Sequence, residues 1–216
     1  MDKKNNRVLI EYLILATVLI VTSFTPYKIV GMLVVIAYLI IEGRLRRRSK
    51  EENGFDLRGF PQAVRHTWVF ILLVVLVTPA ISVLIGKLFL PEYFTHVLER
   101  VMPYVQMENL DKLFGQLLIL AFGEEIVFRV FLQGRLSLFV NPGLAIFFAS
   151  LVFAGVHYTP GAPVVVFVDL LSVFVDSLLF GIIYEQSKNV FASTLAHFLG
   201  NSFGILLLIY ISRGVG

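Results

Sequence analysis

Residues 117–132 read LLILAFGEEIVFRVFL, an apolar run broken by Glu124, Glu125 and Arg129. A charge held at the centre of a bilayer costs roughly 2.5 to 3.5 kcal/mol on insertion scales. Three such charges in one helix are too costly to face lipid, so they must face a bundle interior or a wet cavity. An ionisable residue inside a membrane helix marks a functional site by default. The run has the composition of a membrane helix but is too charged to stand alone in lipid. It predicts an all-α, polytopic transmembrane bundle built around it, with these charges turned to an interior or a wet cavity.

The flanking sequence supplies that bundle. Apolar segments of helix length fall at residues 8–24, 27–41, 67–90, 110–133, 143–157, 164–184 and 190–211. They make seven helices, or eight if Asp169, Ser172, Asp176 and Ser177 divide the sixth segment. Thr25-Pro26 reads as a tight turn between the first two. The chain is 57% hydrophobic, with a mean hydropathy of +0.84, far outside the range of soluble domains. The polar stretch 42–66 is too short to form a soluble domain. There is no cysteine, which excludes disulfides, thiolate metal sites and cysteine nucleophiles. The charged start MDKKNNR runs into apolar sequence without a small-x-small cleavage site, so it reads as a retained signal anchor.

The net charge of +3 is distributed by topology. Lys3, Lys4 and Arg7 precede the first segment, and Arg44, Arg46, Arg47, Arg48, Lys50, Arg58 and Arg65 fall between the second and third. Arg135 follows the fourth segment, and Lys188 sits between the sixth and seventh. The loop 91–111 is acidic instead, with Glu92, Glu99, Glu108 and Asp111. The positive-inside rule then puts the N-terminus in the cytoplasm and, with seven spans, the C-terminus outside. The lipid bilayer accounts for the basic residues, and no nucleic-acid partner is expected.

Three constellations carry candidate chemistry. Glu125 and Arg129 are i and i+4 on a helix and share a face, whereas Glu124 points about 100° away. Spacing therefore makes Glu125–Arg129 a structural pair and leaves Glu124 as the candidate general base. His157 closes the apolar run FAGVH, just before the turn Tyr158-Thr159-Pro160-Gly161. His197 and Asn201 are i and i+4 on the last segment, beside a GxxxG made by Gly200 and Gly204. An imidazole and a carboxamide projecting together offer metal ligation or hydrogen bonds to a developing oxyanion. Asp169 and Asp176, seven apart, form a second polar stripe suited to support or proton passage. No HExxH, no GxSxG and no nucleotide-binding glycine loop is present.

Glu124-Glu125-x-x-x-Arg129, Phe153-x-x-x-His157 and His197-x-x-x-Asn201, in that order, resemble the three motifs of the CPBP family of intramembrane endopeptidases (CAAX proteases and bacteriocin-processing enzymes, also called Abi). The connecting text LLFGIIYEQSKNVFASTLAHFLGN is similar too, and the likeness covers about residues 117–208. The resemblance implies a catalytic core over residues 110–216, preceded by N-terminal transmembrane helices and the basic loop 42–66 within residues 1–109. It implies a cavity opening toward the cytoplasmic side, where Glu124 and His157 activate water while His197 and Asn201 stabilise the oxyanion. Glu125 and Arg129 support them. It points to zinc on Glu124, His157 and His197 if a metal is used, and a metal-free, glutamate-dependent site is the alternative.

On this reading the substrate is a membrane-associated peptide or protein. It is a prenylated CAAX tail in eukaryote-like members and a leader or other membrane peptide in a prokaryotic chain. A prokaryotic plasma membrane is the expected location. Two other classes fit the same residues: a non-catalytic immunity or regulatory protein on this scaffold, and a proton-coupled transporter using Glu124, Asp169 and Asp176. The oligomeric state stays open. Depth poses a difficulty. At ~1.5 Å per residue, Glu124, His157 and His197 lie at different distances from the basic ends of their helices. Convergence requires tilted or offset helices, or a basic-side turn that enters the membrane.

Overall fold

The computed structural model describes residues 3–101 and 109–214, and among these there is no strand. Helix α1 (Lys3–Ser23) and α2 (Lys28–Leu45) form a hairpin. Backbone bonds from Thr25 to Thr22 and from Lys28 to Thr25 close it at the expected Thr25-Pro26 turn. Helix α3 (Phe60–Leu88) starts earlier than the apolar pattern does, with Pro61 in its first turn, so Arg65 and His66 are helical rather than loop. Helix α4 (Glu92–Val101) is short and amphipathic, burying Tyr93, His96 and Val97. Helix α5 runs over residues 110–136, followed by α6 (Pro142–Gly155), α7 (Pro163–Ser187) and α8 (Val190–Gly214).

The eighth helix expected from a divided sixth segment arises elsewhere. Helix α7 is continuous through Asp169, Ser172, Asp176 and Ser177, and the additional helix is α4, within the loop read as acidic. Glu108 of that loop lies outside the described residues. Among the described residues, four helices meet length and composition criteria for crossing a membrane: 6–23 of α1, α3, α7 and 190–211 of α8. Helix α5 carries Glu124, Glu125 and Arg129 in its middle, and these interrupt its apolar character.

Local chemistry sets several helix boundaries. The Asn109 side chain accepts from the backbone N–H groups of Asp111 and Lys112 (3.1 and 3.2 Å), capping α5. Asn141 accepts from Leu144 N–H at 2.9 Å, with Pro142 in the first turn, and starts α6. Asn189 accepts from Phe191 and Ala192 N–H (3.0 and 3.3 Å) and starts α8. Lys188, left-handed at φ 49°, turns the chain between α7 and α8.

Helix α5 is the axis of the bundle. From Ile126 to Gln133 it widens into a π-helix in which every residue is buried. A helix with no exposed side there has no lipid face and must be surrounded. Tyr12, Ala16 and Leu19 of α1 and Val35 and Leu39 of α2 cover one flank, while Ala149 and Phe153 of α6, with Tyr184 and Val190, cover the other. Ala63, Ile71 and Val74 of α3 pack against Phe180 and Ile183 of α7 and Ala192 and Ala196 of α8. Leu118, Ile119 and Leu120, earlier on α5, are exposed.

The chain direction places one end of α1, α2, α3, α5, α6, α7 and α8 together with the basic loops. Ion pairs bind that basic end. Glu42, almost wholly buried, takes Arg135 at 2.6 Å and Arg46 at 2.8 Å, and Arg46 also reaches Glu11 at 2.6 Å. Residues 46–59 lie across the α7–α8 turn, with Val190 N–H donating to Gly54 O (2.8 Å) and Asn189 Nδ2 to Asp56 O (2.6 Å). Gly54 sits at φ +82°, where an added Cβ would be about 3.0 Å from the Tyr184 hydroxyl, so a glycine is required there.

Candidate active site

Glu124 and Glu125 occupy the last α-helical turn of α5 before its π segment. Such π segments are rare and often coincide with functional sites. Glu125 is wholly buried and bonds in two directions. Its Oε2 takes Arg129 Nε at 3.3 Å, as the spacing predicted. Its Oε1 meets His197 Nδ1 at 3.0 Å, across 72 residues of sequence. Glu125 is therefore more than the partner of Arg129, because it also orients the imidazole of α8. With Nδ1–H directed at Glu125, the tautomer assigned by the bond leaves Nε2 toward Glu124. Glu124 Oε2 stands 3.6 Å from that Nε2, and its side chain is 24% exposed where Glu125 is 0%. The expected division, one held acid and one accessible acid, is what the geometry gives.

Arg129 forms the floor of the site. Its Nη2 donates to Ser177 Oγ of α7 at 2.8 Å. Its guanidinium lies 5.4 Å from the Phe153 ring and 5.8 Å from the Phe180 ring. Phe180 in turn stacks on His197 with 4.5 Å between centroids and an 18° tilt. Sequence reasoning noted Ser177 only as a break in hydrophobicity and missed Phe180. The available signal was their three-residue spacing on α7, which puts both on one face.

The other motif residues converge less closely. His157 is half-buried just past the C-terminus of α6. Its Nδ1 lies 2.7 Å from Phe153 O, and its ring leans on Phe153 at 4.5 Å. Among the described residues no hydrogen bond or ion pair joins it to Glu124 or His197. Asn201, one turn beyond His197, is exposed. At Gly204, two turns beyond His197, an added Cβ would meet nothing within 4 Å. Asp176 Oδ1 is buried without a hydrogen-bond partner, and the group lies within Coulombic range of His197. Asp169 is elsewhere, held by Arg100 at 2.9 Å and His96 at 3.4 Å of α4. The two aspartates thus do not act as one stripe.

The depth difficulty is relieved by the α7–α8 turn. Asn189 and Val190 are buried, 2% and 0% exposed, beneath residues 46–59. Helix α8 therefore starts inside the bundle rather than at its rim, which brings His197 level with Glu125. A zinc ion needs its nitrogen and oxygen ligands all about 2.0 to 2.2 Å from one point. Among the described residues, no group of three or more His, Asp or Glu side chains is placed to hold an ion. His157 uses Nδ1 on Phe153 O, which leaves its Nε2 free, and it stands apart from the Glu124–His197 pair.

Burial is uneven around the site. Toward the basic end Arg129 and Gln133 are 0% exposed, and Gln133 donates to Gly181 O at 3.0 Å. Exposure at the site is found on the opposite side, at Glu124, His157 and Asn201.

Comparison with known proteins matches residues 108–203 to the family model for type II CAAX prenyl endopeptidase, Rce1-like. The match contains all three motifs and bears out the resemblance read from them. No curated protein and no solved structure gives a significant match to the chain.

Proposed function

We propose that this integral membrane protein, whose residues 108–203 match the Rce1-like model, is an intramembrane endopeptidase that cuts a membrane-associated peptide with water activated by Glu124. The observation that carries the reading is the arrangement at His197, held on Nδ1 by buried Glu125 and faced on Nε2 by accessible Glu124. A carboxylate that fixes an imidazole and stabilises its charged form recurs in hydrolytic sites.

The steps balance on these groups. Glu124 takes a proton from water as the oxygen attacks the peptide carbonyl, and His157 helps to hold and polarise that water. The oxyanion accepts hydrogen bonds from Asn201 Nδ2–H and from His197 when Nε2 carries a proton. As the C–N bond breaks, Glu124 returns its proton to the leaving amine. Arg129 and Glu125 act through position alone. Glu124 serves as the base by itself in this mechanism, with no step through a metal.

Glu124→Ala and His197→Ala are expected to abolish cleavage of a membrane-tethered reporter in cells while both proteins still accumulate. Wild-type cleavage by both variants would defeat the assignment. A chelator added to purified enzyme is expected to leave turnover unchanged, and a loss restored by zinc would show that the donors close around an ion. Orientation follows the basic loops, with the N-terminus cytoplasmic in a prokaryotic plasma membrane.

A further inference from the structure

At the basic end, three consecutive arginines, Arg46, Arg47 and Arg48, line one cavity of about 590 Å³. A regular helix would spread three successive side chains around its axis, about 100° apart. Here α2 ends at Leu45, and Arg47 takes the left-handed conformation at φ 52°, which residues other than glycine seldom adopt. The turn brings all three arginines to the same space. Two of them are fixed there. Arg46 is held by Glu11 at 2.6 Å and Glu42 at 2.8 Å, and Arg48 meets Glu42 at 3.4 Å. The carboxylates do not neutralise the cluster. Arg7 and Arg135 draw on the same Glu11 and Glu42, so four arginines share two acids. Arg47 is exposed and has no ion pair among the described residues. Burial, and after it the nearby Arg135 charge, pull the Arg48 pKa down, which marks a cation short of anions.

The remaining walls are apolar. Val8 of α1, Leu45 at the end of α2, and Leu138 and Phe139 of the α5–α6 connection complete the lining. Leu45 and Leu138 are exposed, and so is Ile41, one turn before Leu45 on the same face of α2. A soluble anion would use the arginines alone, and a nucleic acid would leave these leucines in water. A cationic pocket whose rim runs onto exposed apolar surface, at the ends of membrane helices, matches both halves of a lipid. We infer that this cavity binds the phosphate headgroup of an anionic phospholipid, with Arg46, Arg47 and Arg48 on the phosphate and the acyl chains along Ile41, Leu45 and Leu138. The bound lipid joins the α1–α2 hairpin to the connection that follows α5, the helix carrying Glu124. The site shares no residue with the candidate active site, so it stands or falls separately from the peptidase reading.

The test is thermal unfolding of the full-length protein in an uncharged maltoside detergent, after removal of co-purified lipid. It is titrated with short-chain phosphatidylglycerol, with phosphatidylcholine of the same chain length, and with inorganic phosphate. The expected result is a saturable rise in melting temperature with phosphatidylglycerol, at concentrations where the other two have no effect. Arg47→Gln, at an exposed position, is expected to raise the half-saturating concentration at least about fivefold. Leu138→Gln is expected to raise it as well, while Arg58→Gln, a loop arginine outside the lining, leaves it unchanged. No rise with phosphatidylglycerol, or an equal rise with phosphatidylcholine, overturns the proposal. A rise with inorganic phosphate at the same concentrations overturns it in favour of a free-anion site. Equal weakening by Arg58→Gln and Arg47→Gln, the mark of diffuse surface charge, also overturns it, as does wild-type affinity in both Arg47→Gln and Leu138→Gln.

Discussion

At the scale of single residues, the two adjacent acids do different work because one is satisfied and the other is not. Glu125 has Arg129 and His197 as partners and no contact with solvent. Removing one partner of a buried pair costs about 3 to 5 kcal/mol, since the other charge stays buried alone. Arg129→Met is therefore expected to lower the melting temperature in detergent strongly, and an unchanged value would show that Glu125 does not depend on it. Glu124→Gln is expected to leave the melting temperature near wild type, because its carboxylate is partly exposed and makes no close bond. The Glu125–Arg129 pair was legible in the sequence because helical spacing fixes i and i+4. The Glu125–His197 bond was not, because only the packing of α8 on α5 joins residues so far apart. Its i and i+4 spacing with Asn201 on an apolar segment brought His197 to notice without saying which acid it meets.

At the scale of helices, contact is set by what the facing residues allow. The Gly200–Gly204 pair read as one packing motif divides in the structure. A Cβ at Gly200 would come within 2.7 Å of Val74 Cγ1 on α3, whereas one at Gly204 meets nothing within 4 Å. Overpacking of a tight contact costs about 1 to 3 kcal/mol. Gly200→Ala is expected to melt at a lower temperature than wild type and Gly204→Ala to melt at or above it. Equal effects would mean that α3 and α8 do not meet there. Hydropathy located all seven apolar helices, since burial in lipid or core needs apolar surface over their whole length. It missed α4, whose few apolar residues pack only one face, and it left α7 open to division, where Asp169, Asp176 and Ser177 lie within one continuous helix. The π segment of α5 left no mark in the apolar pattern because all its faces are buried alike.

For the whole molecule, asymmetry between the ends is the main feature. Glu42 gathers Arg46, Arg48 and Arg135 at the basic end, and Glu42→Ala would leave Arg135 without its ion-pair partner. A large drop in melting temperature is expected, with little loss if the end is merely a solvated charge cluster. The basic loops themselves were legible from charge counts along the chain. Their role as a cover over Asn189 and Val190 was not, because it rests on backbone bonds from Gly54 and Asp56. The account as a whole depends on one acid handling water inside the bilayer. Its most direct test is the rate at which purified protein in liposomes cuts a membrane-tethered peptide, wild type against Glu124→Gln at matched folding. A general base contributes about 10² to 10⁴ in rate, so the variant is expected to fall by at least about 10²-fold. Equal rates for the two proteins would contradict the account.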